Sequence, residues 1–93
     1  MSLYAPLRVP VEIRRGERWF PLASQVGTEG LLFDPPLAAE LEGRYEVQFV
    51  LPSEKSPIAC RAQRQGEAMV FLDLESAEKE RIERYVLQRL GIG

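Results

Sequence analysis

Ninety-three residues suffice for one modest hydrophobic core and leave no room for a second. Hydrophobic residues at 45% and charged residues at 28% are ordinary globular values, and no apolar run reaches the ~20 residues that cross a bilayer. The chain has no histidine and one cysteine, which excludes Ser-His and Cys-His catalysis, His-bearing zinc sites and an internal disulfide, while a net charge of −2 argues against a dedicated nucleic-acid binder.

The N-terminus, Met1-Ser2-Leu3-Tyr4-Ala5-Pro6, has neither a basic start nor an apolar stretch, so a cytoplasmic location without membrane insertion is expected. Residues 1–6 read as an arm. Leu7, Val9, Val11 and Ile13 then alternate with Arg8, Pro10, Glu12 and Arg14, the period of a strand with one buried face. Pro10 cannot donate to a ladder, which places this strand at an edge or at a bulge. Arg15-Gly16-Glu17 reads as a hairpin turn, and Arg18 to Val26 as the returning strand, with Pro21 a second irregularity. Trp19 and Phe20 are adjacent and point to opposite faces, so at most one of them enters the core.

Gln25-Val26-Gly27-Thr28-Glu29-Gly30 is a polar turn running into the short strand Leu31-Leu32-Phe33, with Gly30 expected to let the chain turn sharply. Asp34-Pro35-Pro36 ends that strand, and Leu37 to Gly43 reads as a turn or loop. Tyr45, Val47, Phe49 and Leu51 alternate with Glu46, Gln48 and Val50 in the clearest strand of the chain. A polar connection, Pro52 to Pro57, leads to the alternating Ile58 to Gln63, in which Cys60 reads as a small core residue. Gln65-Gly66-Glu67 turns the chain into Ala68 to Leu74, in which Met69-Val70-Phe71-Leu72 is apolar on both faces, as for a strand between a barrel interior and a covering helix.

That helix is predicted over 76–91, with Ser76 as N-cap, Glu78 and Glu80 early, Ile82, Tyr85, Val86 and Leu90 on one stripe, and Gly91 at its end. Glu80 and Arg84 are spaced to pair on its wet face, and Leu87 falls off the stripe. The expected architecture is a single, mainly β domain over 1–93: a six-stranded antiparallel barrel over 7–74 with the C-terminal helix packed on it.

This order of elements resembles the PilZ domain, a six-stranded β-barrel that binds the bacterial second messenger cyclic di-GMP. Arg8-Val9-Pro10-Val11 is similar to the family's first strand, Glu46 to Leu51 to its central strand, and Val70-Phe71-Leu72 with Glu80 to Val86 to its closing strand and helix. Ligand-binding members carry Arg-x-x-x-Arg before the first strand and Asp/Asn-x-Ser-x-x-Gly between the second and third. In this chain Arg8 matches the second arginine, but Tyr4 stands at the first. Gly30 matches the final glycine, while Gln25 and Gly27 replace the acidic or amide residue and the serine. Each lost charge-assisted or buried hydrogen bond costs ~1 to 3 kcal/mol, so weak or absent cyclic di-GMP binding is expected. Arg14 and Arg18 are also four apart, but they flank a hairpin turn and do not belong to the arm.

The resemblance with emptied motif positions implies a non-catalytic signalling or interaction module that acts through a protein partner, in bacterial motility, type IV pilus function or related signalling. Arg14, Arg15, Arg18, Trp19 and Leu87 are the candidate partner surface. No catalytic residue, metal ligand or cofactor is assigned, because Asp34, Asp73 and Glu75 have no second acid at a useful spacing. Two other readings stay open: a cyclic di-GMP receptor using Arg8, Arg14, Arg15 or Arg18 in another geometry, and a small barrel that binds single-stranded nucleic acid.

Overall fold

A computed structural model describes residues 3–91. Eight antiparallel strands form one sheet: β1 (Tyr4–Pro10), β2 (Glu12–Arg15), β3 (Glu17–Trp19), β4 (Leu22–Gly27), β5 (Gly30–Phe33), β6 (Arg44–Phe49), β7 (Ile58–Gln65) and β8 (Ala68–Phe71). One helix, α1 (Ser76–Arg89), follows. The strand order is β1-β4-β5-β8-β7-β6-β2-β3.

Six strands are thus corrected to eight, and prolines supply the reason. Each of the two long strands expected before the glycine turn is broken in two, after Pro10 and before Pro21. Neither proline has an N–H for the ladder, so the chain bends there and exchanges one neighbour for another. Before the bend β1 pairs with β4; beyond it β2 pairs with both β3 and β6. Val11 joins β1 to β2, and its N–H donates to the Pro21 carbonyl at 2.9 Å, which ties the two bends together. β1 lies at one end of the strand order and β2 next to the other end, yet a single residue separates them. The sheet must therefore curl until β1 and β2 lie end to end, while β1 and β3 stand at its two edges, not paired with each other among the described residues, and the result is a curled half-barrel.

The expected arm is corrected as well. Tyr4 to Pro6 belong to β1, in register with Gln25 to Gly27 of β4, because an open edge of β4 would otherwise leave its backbone groups unpaired. Met1 and Ser2, the rest of that arm, lie outside the described residues.

The interior follows the period of two. In β6, Tyr45, Val47 and Phe49 are buried while Arg44, Glu46 and Gln48 are exposed. Ile13, Leu31, Leu51, Ile58 and Met69 complete the centre, each worth ~1.5 to 3 kcal/mol when fully removed from water. Phe49 and Phe71 stack with ring centroids 6.0 Å apart. Residues 37–43 form a loop, as expected, which returns Leu37 and Leu41 to the core.

The helix packs on β1 and β4, where Ile82 and Val86 are buried and the Tyr85 hydroxyl donates to the Pro6 carbonyl at 2.9 Å. The covering of β8 by the helix is not the packing that forms. Exposure of Leu72 agrees with this, since it lies beyond β8 at 44% of its surface. The N-cap is Glu75 rather than Ser76, with no side-chain cap bond; Glu78, in the first turn, instead accepts a hydrogen bond from the Ala59 N–H at 3.2 Å. Arg84 forms no ion pair with Glu80 among the described residues. Arg81 makes the helix's salt bridge, to Glu54 at 2.5 Å. Leu90 caps the C-terminus, and Gly91 follows with φ of 73°, the left-handed conformation that ends helices.

Candidate functional site

The polar turn and the start of β1 are brought together by pairing, with Tyr4 opposite Gly27 and Pro6 opposite Gln25. Gly27 is buried and has no positive φ; what requires glycine is space. A Cβ there would lie 2.7 Å from the Leu3 carbonyl oxygen and 3.2 Å from Cδ2 of the Tyr4 ring. The Tyr4 ring therefore covers the position from which the serine of the ligand motif would project. Burial, then the nearby Glu29 charge, raises the Tyr4 phenol above its ordinary pKa, so this end of the turn has an aromatic lid and an anionic neighbour.

Gln25 is exposed on β4, two residues before that contact. The register of β1 shifts between Pro6 and Val9, which puts Arg8 in a bulge, exposed and away from the Tyr4–Gly27 pair. Gly30 has a different role from the sharp turn expected of it. It is the first residue of β5, without positive φ, and a Cβ would come within 2.3 Å of the Met69 carbonyl oxygen. Close approach of β5 to β8 is what excludes a side chain there. Two changed motif positions thus occupy each other's space, and the arrangement offers no paired guanidinium forks to a phosphate.

A second surface lies on the outer face of β2, β3, β6 and β7. Arg14 faces Arg18 across the hairpin, Arg14 faces Glu46 across β2–β6, and Glu46 faces Arg61 across β6–β7. Arg61 closes the row on Asp73, with Nε 2.8 Å from Oδ2 and the Arg61 N–H 2.6 Å from Oδ1; these hydrogen bonds hold the Asp73 carboxyl below its ordinary pKa. Arg14, Arg15, Arg18, Arg44 and Arg61 line a hollow of roughly 430 Å³ together with Tyr45 and Glu46. Arg15 is partly committed, donating to the Glu42 carbonyl at 3.2 Å and lying over the Tyr45 ring.

Of the two neighbouring aromatics Trp19 turns inward, edge-on to Tyr45 at 5.9 Å, and Phe20 is 60% exposed. Leu87 is half-buried on α1, which packs on β1 and β4, so the fold does not join it to the arginines of β2 and β3. Arg44, Glu46 and Arg61 are members of this surface that sequence reasoning passed over, whereas the exposed member of the aromatic pair, Phe20, lines a separate groove. The alternation of those three along β6 and β7 was visible, but the register that aligns them was not.

Cys60 is half-buried beside this face, and its thiol is pushed up to about 12, first by burial and then by Asp73 and Glu78. A thiol so held is not a nucleophile near neutrality. Among the described residues no three acidic or thiol groups come together in a way that could hold a metal, and no helix is long and apolar enough to cross a membrane.

No family model and no curated protein sequence matches the chain. In structure the chain is similar to the Bacillus subtilis inhibitor of motility MotI/DgrA, with a TM-score of 0.79 at 16% identity over 97% of this chain. The chain spans about half of that protein, 50% of its length, and a likeness at this identity carries the fold.

Proposed function

We propose that the chain is a PilZ-like, non-catalytic interaction module that works through a protein partner in bacterial motility, type IV pilus function or related signalling, without binding cyclic di-GMP at micromolar affinity. The Tyr4–Gly27 contact carries this reading. A ring seated on the glycine removes both an arginine fork and a serine hydroxyl. Similarity to an inhibitor of motility supports the cellular setting, by analogy of fold. Isothermal titration with cyclic di-GMP tests it: no heat of binding is expected at micromolar ligand, and a micromolar dissociation constant overturns the reading.

A receptor that takes the nucleotide through other arginines is the second reading, favoured by the arginine-lined hollow that Glu46 shares. Under that reading Arg14→Ala or Arg44→Ala abolishes the titration signal, while Tyr4→Ala leaves it unchanged.

A further inference from the structure

The outward charges of the sheet form a ladder that alternates in sign until its last rung. From the far side it runs Asp73, Arg61, Glu46, Arg14 and then Arg18, each facing the next across neighbouring strands or, for Asp73, bonded to it. Opposite charges directly across a strand pair stabilise it and like charges weaken it. Arg14 against Arg18 breaks the rule at the open edge. One carboxylate, Glu12, serves both guanidinium groups, at 3.4 Å from Arg14 and 3.7 Å from Arg18. Arg18 sits at the middle of β3, which ends the strand order and among the described residues pairs only with β2, so no described strand lies on its other side.

Two residues further on, just past the end of β3, stands Phe20, 60% exposed beside a groove shared with Val9, Pro10, Val50 and Pro52 and edged by the carboxylates of Glu12 and Glu54. We propose that the free side of β3 is a strand-addition edge for an extended acidic segment of a partner protein, which sets a carboxylate beside Arg18 and an apolar side chain beside Phe20. Main-chain hydrogen bonds to β3 hold such a segment, and the two side chains select it. Its carboxylate restores the alternation that the sheet itself leaves incomplete.

The charges also decide against other occupants. A second copy pairing with β3 about a two-fold axis through its middle residue would place Arg18 against Arg18. A nucleic-acid backbone laid across this face would meet Glu12, Glu46 and Asp73 between the arginines.

The inference deepens the protein-interaction reading and rests on it. The probe is a blocked heptapeptide, Thr-Glu-Thr-Val-Thr-Glu-Thr, whose Glu and Val stand two residues apart on one face as Arg18 and Phe20 do, titrated into the full ¹⁵N-labelled chain and followed by amide chemical shifts. Perturbations concentrated at Glu17 to Phe20 are expected, with no comparable effect from the same peptide carrying Lys for Glu. Arg18→Glu is expected to weaken the acidic peptide about tenfold and to favour the Lys peptide. The free spectrum of that variant reports its folding, and Phe20→Ser gives an independent loss at the apolar contact. N-methylation of alternate peptide amides is expected to abolish binding, because it removes the ladder while keeping the charge. Absence of perturbation at Glu17 to Phe20, equal binding of the Lys peptide, or undiminished binding of the N-methylated peptide overturns the edge. Cyclic di-GMP binding in the titration above overturns the reading beneath it, so the two failures are distinguishable.

Discussion

Gly27 and Gly30 lie three residues apart and are both glycine for want of room, yet the neighbours that deny the room differ. At Gly30 the obstacle is the backbone of β8, with the Met69 carbonyl oxygen 2.3 Å from where a Cβ would stand. Gly30→Ala should force β5 from β8 and cost about 3 kcal/mol or more in urea denaturation. At Gly27 the obstacles are the Leu3 carbonyl oxygen, 2.7 Å away, and the Tyr4 ring, both at the outer end of β1, where displacing the end of the chain is expected to cost less than parting two paired strands. Gly27→Ala should cost about 1 kcal/mol, and Tyr4→Ala in the same chain should relieve only part of it, since the carbonyl remains. Equal losses at the two glycines would contradict this account.

At the scale of elements, the loop 37–43 shows how a segment without regular structure is held. Arg64 of β7 donates to the carbonyls of Leu37, Ala38, Leu41 and Gly66, and its own N–H donates to the Gly43 carbonyl at 3.0 Å. A guanidinium has five donors in a fixed fork, and an ammonium cannot reach four carbonyls in that arrangement. Arg64→Lys should therefore lose about 2 kcal/mol, nearly as much as Arg64→Ala, with hydrogen-exchange protection lost first around Leu41. Retention of full stability by the lysine variant would mean that the buried Leu37 and Leu41 hold the loop unaided.

Such long-range ties mark where the sequence stops being legible. The alternation of Tyr45, Val47 and Phe49 and the helical spacing of Ile82 and Val86 are local patterns, and the structure has both. Pro10 and Pro21 announced irregularity, but not that their strands would bend together and change partners, because that depends on β4 and β6 arriving from elsewhere. The same holds for the helix: its apolar stripe says that it packs, and only the fold says that it packs on β1 and β4. For the candidate site, Tyr4, Gln25 and Gly27 could be recognised as departures from a motif, whereas the contact of the Tyr4 ring with Gly27 needed the register of β1.

For the whole molecule, stability should depend on pH through few groups, since the chain lacks histidine, the side chain that ordinarily titrates near neutrality. The Cys60 thiol is raised from 9.0 to about 12 in the folded chain, so its contribution is fully present below pH 9.0 and lost as pH rises toward about 12, where the unfolded chain alone gains a thiolate. Cys60→Ala should flatten the alkaline limb of the urea midpoint against pH; an unchanged limb would assign it to other groups such as Tyr4. Asp73 acts in the opposite direction: its carboxyl lies below the ordinary 3.8, so its contribution is present above that value and lost as pH falls through the lowered one. Asp73 is exposed, and its slope should be shallow and weakened by salt.

The joint at Val11 has a bearing on the order in which the chain assembles. Because β1 runs into β2 and β3 into β4 at the same place, the first third of the chain can form one long bent hairpin from contacts between near neighbours in sequence. That hairpin already carries both ends of the future sheet, one half offering β4 to β5 and the other offering β2 to β6. Closing the curl then needs no separate search by distant termini. The entropy of that closure is met early, inside a local turn, before the slower pairings of β6, β7 and β8 are made.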